Sequence, residues 1–183
     1  MPLDISKLLR LIDEMPAYCQ LIDKLCKPDG NSKAMVLDAA KPYLVAALYY
    51  RLKRPVLAVT AQPEDSKKLY EQLSTWCNST QLRLFPEPDA LPYQRTISDT
   101  TTELERLQVL SALANTDRGQ NAPLVITSVP ALMQKIVSHR DFTSTCHTIK
   151  IGQEFEPLNL LRRWVAMGYR VENIVEVPGT VSH

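Results

Sequence analysis

The sequence predicts an α/β domain, a parallel sheet with helices on both faces, followed by the start of a small α+β domain. Three observations carry this. First, two short runs, Pro55–Thr60 and Pro123–Val129, are apolar at nearly every position, as in strands buried on both faces. Second, segments with helical periodicity alternate with such runs, and a βαβα order implies a parallel sheet. Third, the rhythm changes after about residue 145 to strand, helix, strand. Residues 1–145 are therefore expected to form the first domain, and residues 146–183 to begin the second.

The elements follow in order. Residues 4–26 read as one or two helices, with Ile5, Leu8, Leu9 and Ile12 on one face and Pro16 restarting the pattern. Lys27–Ser32 is a loop by its turn residues. Ala34–Asp38 reads as a strand, and Leu44, Leu48 and Leu52 form one helical stripe. Pro63, Glu64 and Asp65 suit the first turn of a helix that carries Leu69, Leu73 and Trp76. Leu82–Phe85 reads as a third strand, followed by a proline-rich loop. A long helix then starts near Asp99, with Thr100 and Glu103 at capping-box spacing. Its stripe of Leu104, Leu107, Leu110 and Leu113 reads as core. Ala131–Val137 reads as a short helix, Cys146–Ile151 as a strand, Pro157–Met167 as a helix stopped by Gly168, and Tyr169–Val177 as an extended strand. That last strand then lacks a hairpin partner, and the chain reads as cut inside its second domain.

Composition narrows the function. With 183 residues, 21 basic against 20 acidic and a net charge of +1, the chain is neither a disordered polyelectrolyte nor a basic arm binding nucleic acid by bulk charge. Nothing approaches the roughly 20 apolar residues of a membrane span, and no secretory signal is visible. Cys19, Cys26, Cys77 and Cys146 form no CxxC pair and have no histidine at zinc-finger spacing. They read as buried thiols of a cytoplasmic protein. His139, His147 and His183 are scattered, so neither metal nor nucleophilic catalysis is expected, and no metal site is assigned.

The first strand–loop–helix is where such a fold would hold phosphate. A GxxxxGK[ST] loop needs glycines for converging amides, a lysine for charge and a hydroxyl for magnesium. In that register the chain has Met35 and Ala40 for the two glycines, Lys41 for the lysine and Pro42 for the hydroxyl residue. Pro42 also deletes an amide donor. Asp38 adds a carboxylate, which at ~4 Å from an anion costs about 1–4 kcal/mol across effective dielectrics of 80 to 20. The loop is expected to be inert. On spacing alone it also reads as no phosphate loop at all, with Lys41 solvated and Pro42 simply a good first-turn residue.

Three segments then carry a resemblance: FPEPDALPYQRTISDTTTELERLQVLSAL (Phe85–Leu113), PLVITSVPALMQKIV (Pro123–Val137) and IKIGQEFEPLNLLRRWVAMGYRVENIVEVPGTVSH (Ile149–His183). They resemble the N-terminal part of the bacterial transcription-repair coupling factors (Mfd), itself similar to the excision-repair helicase UvrB. The resemblance runs from about residue 33 onward. It implies a P-loop NTPase-like first domain with a degenerate loop, and a small second domain that docks UvrA. It further implies that ATP hydrolysis, DNA translocation and RNA polymerase contact belong to other domains of the parent. The family's aromatic DNA-clamping hairpin has no counterpart here. Phe85 and Tyr93 alone do not make a stacking platform and read as local packing.

Arg162, Arg163 and Arg170 are the candidate partner-binding residues, because a guanidinium fork suits such contacts. They read more simply as a solvated face, since most exposed charges do little and the segment from Ile149 balances four basic with four acidic residues. The arginine that the family places next lies beyond His183, so UvrA docking is expected to be impaired in this chain. The expected function is thus a non-catalytic module for UvrA docking or for autoinhibition against the parent's own C-terminal domains. It needs no cofactor. The alternative is a nucleotide-binding domain that uses an atypical loop around Lys41.

Overall fold

The structure, a computed structural model, describes residues 5–88, 100–115, 122–146, 149–175 and 179–182. The chain divides into two compact units, Met1–Gln134 and Lys135–His183.

In the first unit a 3-10 helix, Ser6–Glu14, leads into α1 (Pro16–Leu25). Pro16 separates them because it lacks the amide that a continuous helix needs. After α2 (Lys41–Leu52) come β1 (Val56–Thr60), α3 (Pro63–Leu73), β2 (Leu82–Phe85), α4 (Thr100–Asn115), β3 (Leu124–Ser128) and α5 (Val129–Met133). The sheet is wholly parallel with strand order β1-β3-β2, so the last strand in sequence is the central one.

Register sorts the side chains into two layers. Val56 and Ala58 align with Leu124 and Ile126, and these with Leu82 and Leu84. This face packs on Leu9 and Ile12 of the 3-10 helix, Tyr18 and Ile22 of α1, Ala46, Ala47 and Tyr49 of α2, and Leu73 of α3. The opposite face is smaller: Val125 and Phe85 pack on Val109 of α4 and Ala131 of α5. Thr127 is fully buried, and its hydroxyl donates to the Phe85 carbonyl at 2.9 Å. Tyr49 likewise donates across to the Ala122 carbonyl, tying α2 to the entry of β3.

Several expectations are corrected. Ala34–Asp38 forms no strand: Met35 is fully exposed and Leu37 is 82% exposed, and no described strand pairs with the segment. A short apolar run becomes a strand only where a neighbour accepts its backbone groups. Of the α4 leucine stripe Leu110 alone packs on the core, beside buried Val109, for Leu104, Leu107 and Leu113 are exposed. Leucines three apart drift by ~60° per step on a helix, so a run of them cannot stay on one face. Of the cysteines only Cys77 is buried; Cys19, Cys26 and Cys146 are exposed.

The second unit holds α6 (His139–Thr145), α7 (Pro157–Ala166), β4 (Arg170–Val171) and β5 (Thr180–Val181). α6 lies outside the elements expected from the sequence, although Ser138 and Asp141 sign its start: the serine hydroxyl accepts from the Asp141 amide at 3.2 Å. Gly168 ends α7 with φ +100°, a conformation that suits glycine. Cys146–Ile151 is not a strand among its described residues. The expected long strand over Tyr169–Val177 is reduced to Arg170–Val171. It does have a partner, since Arg170 and Glu172 donate to the Gly179 and Val181 carbonyls in a parallel pair with β5. Among the described residues of this unit only Phe142 and Val181 are buried.

Candidate functional site

The loop in phosphate-site register is built from the chain's local preferences. Leu37 is extended, with ψ 142°, and a single 3-10 turn over Asp38–Ala40 runs directly into α2. The Ala40 amide donates to the Leu37 carbonyl at 2.9 Å, so it is spent inside the turn. Pro42 is buried in the first turn of α2, where its fixed φ fits and its missing amide is harmless to the helix. Among the described residues positive φ occurs only at Lys53, Gly152, Gly168 and Gly179. Met35 through Pro42 therefore contain no left-handed residue, the element from which an anion-cradling nest of amides is made.

Lys41 and Asp38 satisfy each other. Their side chains meet at 2.6 Å, three residues apart and largely exposed. The hydrogen bond and charge of Lys41 lower the Asp38 pKa, and those of Asp38 raise that of Lys41. The carboxylate thus holds the cation that a phosphate would need. Met35 points to solvent and Ala40 adds only a methyl, so the five residues read from spacing lie together in sequence but converge on no ligand position.

A cavity of about 830 Å³ lies at the carboxyl end of β2, between α3 and α4. Its charged lining is Glu64, Glu71, Glu87 and Glu105 against Lys67 alone, with Tyr70 on one wall. Four carboxylates around one ammonium disfavour a polyanion there. Beside β2, the Arg106 guanidinium lies 4.0 Å from the Phe85 ring centroid and donates to the Pro86 carbonyl. Burial lowers the Arg106 pKa. Sequence reasoning missed this arginine; an arginine in mid-helix carries no signal of what it will stack on. The reading of Phe85 as local packing agrees with its burial, whereas Tyr93 lies outside the described residues.

In the second unit Arg162 and Arg163 lie exposed on α7, and Arg170 lies exposed in β4 just past the Gly168 stop. Leu158 and Val165 on the same helix are also exposed, so arginines and apolar side chains share this surface. Trp164 stacks obliquely on Tyr169, with ring centroids 6.2 Å apart, linking the end of α7 to the start of β4. His139 starts α6, while His147 and His183 lie outside the described residues. Among the described residues no group of three or more His, Cys, Asp or Glu side chains is placed to hold a metal ion, and no helix is long and apolar enough to cross a membrane.

No family model matches the chain. Curated relatives do. The transcription-repair-coupling factor of Myxococcus xanthus is 27% identical over 171 residues, 90% of this chain and 14% of that protein. Its counterpart in Bacillus subtilis is 23% identical over 144 residues, 79% of this chain and 12% of that protein. The Staphylococcus aureus RF122 protein is 24% identical over the same share of this chain. The chain therefore spans 12–14% of the length of these relatives. At low identity, but across 79–90% of its residues, it is similar to the N-terminal part of transcription-repair-coupling factors.

Proposed function

We propose that this chain is a non-catalytic docking module of the transcription-repair coupling pathway, with a P-loop NTPase-like first unit whose phosphate loop has lost its ligand. The observation that carries the reading is the Asp38–Lys41 pair, closed at 2.6 Å over a turn without left-handed residues. A triphosphate would have to displace a carboxylate and find amides that the 3-10 turn and Pro42 do not supply. The carboxylate-lined cavity beside β2 adds to this, because it disfavours the same ligand.

The partner we assign is UvrA, received on the exposed surface that carries Arg162, Arg163 and Arg170. Planar guanidinium forks beside exposed Leu158 and Val165 suit a surface that offers carboxylates around an apolar centre. RNA polymerase, DNA and ATP are assigned to other parts of a longer parent, whose C-terminal domains are a second candidate partner through autoinhibition.

Two measurements test this. Titration with a fluorescent ATP analogue is expected to show no saturable binding up to high micromolar concentration. Micromolar binding abolished by Lys41→Ala would instead establish the nucleotide-binding alternative. Capture of purified UvrA by the longer parent is expected to weaken at least tenfold on charge reversal of Arg162 and Arg163 together. Equal, saturable capture by the wild-type and reversed parents refutes the assigned surface.

A further inference from the structure

The two strands richest in apolar residues have unequal surroundings. β3 (Leu-Val-Ile-Thr-Ser) is buried at every position, whereas in β1 (Val-Leu-Ala-Val-Thr) Leu57 is 54% and Val59 is 46% exposed. The Val56 amide donates to Pro123 beside β3, so in a parallel ladder Leu57 and Val59 turn their amides and carbonyls to the other side. No described strand pairs there, and β1 ends the sheet. Natural edges are blunted by a lysine, a proline or a bulge, and Val56–Thr60 contains none of these.

The same unit holds a strand-like segment with no sheet to join. Residues 33–37 are outside any element, Leu37 is extended, and the side chains of Met35 and Leu37 stand in solvent. At positions i and i+2 these two share one side of an extended chain, as Leu57 and Val59 do on β1. Charge fixes the direction of a pairing. Exposed Arg51, Lys53 and Arg54 precede β1, and exposed Glu64 and Asp65 follow it; the segment begins with Lys33 and ends with Asp38. Laid antiparallel, Lys33 falls beside the acidic end and Asp38 beside the basic end, while Met35 and Leu37 cover Val59 and Leu57.

We propose that residues 33–37 of one copy add as an antiparallel strand to the outer edge of β1 in a second copy. In a closed two-fold pair the exchange is made twice, donor to acceptor in each direction. The inference is independent of the docking surface on α7.

The test is sedimentation of the 183-residue chain over a concentration series, with hydrogen exchange read at the same concentrations. A reversible dimer is expected, with protection appearing together at residues 35–37 and at Leu57 and Val59. Val59→Lys and Met35→Lys, both at exposed positions that folding does not need, are each expected to weaken association at least tenfold. Lys33→Glu is expected to weaken it less. Mixing the Met35 and Val59 variants is expected to restore one exchange, because one copy keeps its acceptor and the other its donor. A monomer at 200 μM (a concentration ~100-fold above a micromolar Kd) overturns the proposal. So does association that Val59→Lys abolishes and Met35→Lys leaves intact, since β1 would then bind something other than this segment.

Discussion

Truncating one leucine on each of two adjacent strands separates an interior strand from an edge. Leu124 in β3 is fully buried, aligned between Val56 and Leu82 and packed in the larger cluster against α2 and α3. Leu124→Ala removes three carbon atoms at ~0.8 kcal/mol of transfer each, and the packed helices cannot collapse fully into the gap, so the loss is about 3–4 kcal/mol. Leu57 in β1 is half exposed, and its truncation leaves no closed cavity. Half the transfer term gives about 1 kcal/mol. For a unit of this size the first change lowers the melting temperature by roughly 10 °C and the second by ~3 °C. Urea unfolding followed by tryptophan fluorescence at nanomolar concentration, far below a micromolar Kd, reads both changes. Equal losses would falsify the placement of β3 as the central strand.

Two further outcomes follow from burial. Cys19, Cys26 and Cys146 are exposed and should react with a thiol reagent within the mixing time at neutral pH. Cys77 should react only on unfolding, because burial pushes its thiol up to about 11; four fast thiols in the native chain refute its burial. Burial also pushes Tyr18 and Tyr49 up to about 12. Their phenols stay protonated in the fold where the unfolded chain ionises them near pH 10, so stability is complete below pH 10 and falls as pH rises toward 12. Ultraviolet titration should show these two tyrosines ionising late, and a single transition near pH 10 for all tyrosines contradicts the packing.

The doubly apolar runs at β1 and β3, the first-turn residues of α3 and the glycine stop of α7 were legible because each depends on residues close in sequence. The helical start at Lys41–Pro42 was legible too, since proline's fixed φ suits a first turn. Residues 34–38 failed for the opposite reason. A strand is completed by a neighbour, and apolar alternation does not say whether a neighbour is present. The leucines of α4 failed because their spacing of three drifts around the helix, and only contact with Phe85 and Val125 selects Val109 as the buried residue.

The chain's own residues determined the parallel α/β class, the helix boundaries marked by proline, serine and glycine, and a Met35–Pro42 turn without left-handed residues, because all of these are written in local backbone chemistry. Tertiary structure alone decided that β3 lies between β1 and β2, that Arg106 stacks on Phe85, and that one apolar strand is buried while its twin stands at an edge. Those outcomes depend on which distant groups meet, and burial and pairing are properties of the meeting rather than of either segment.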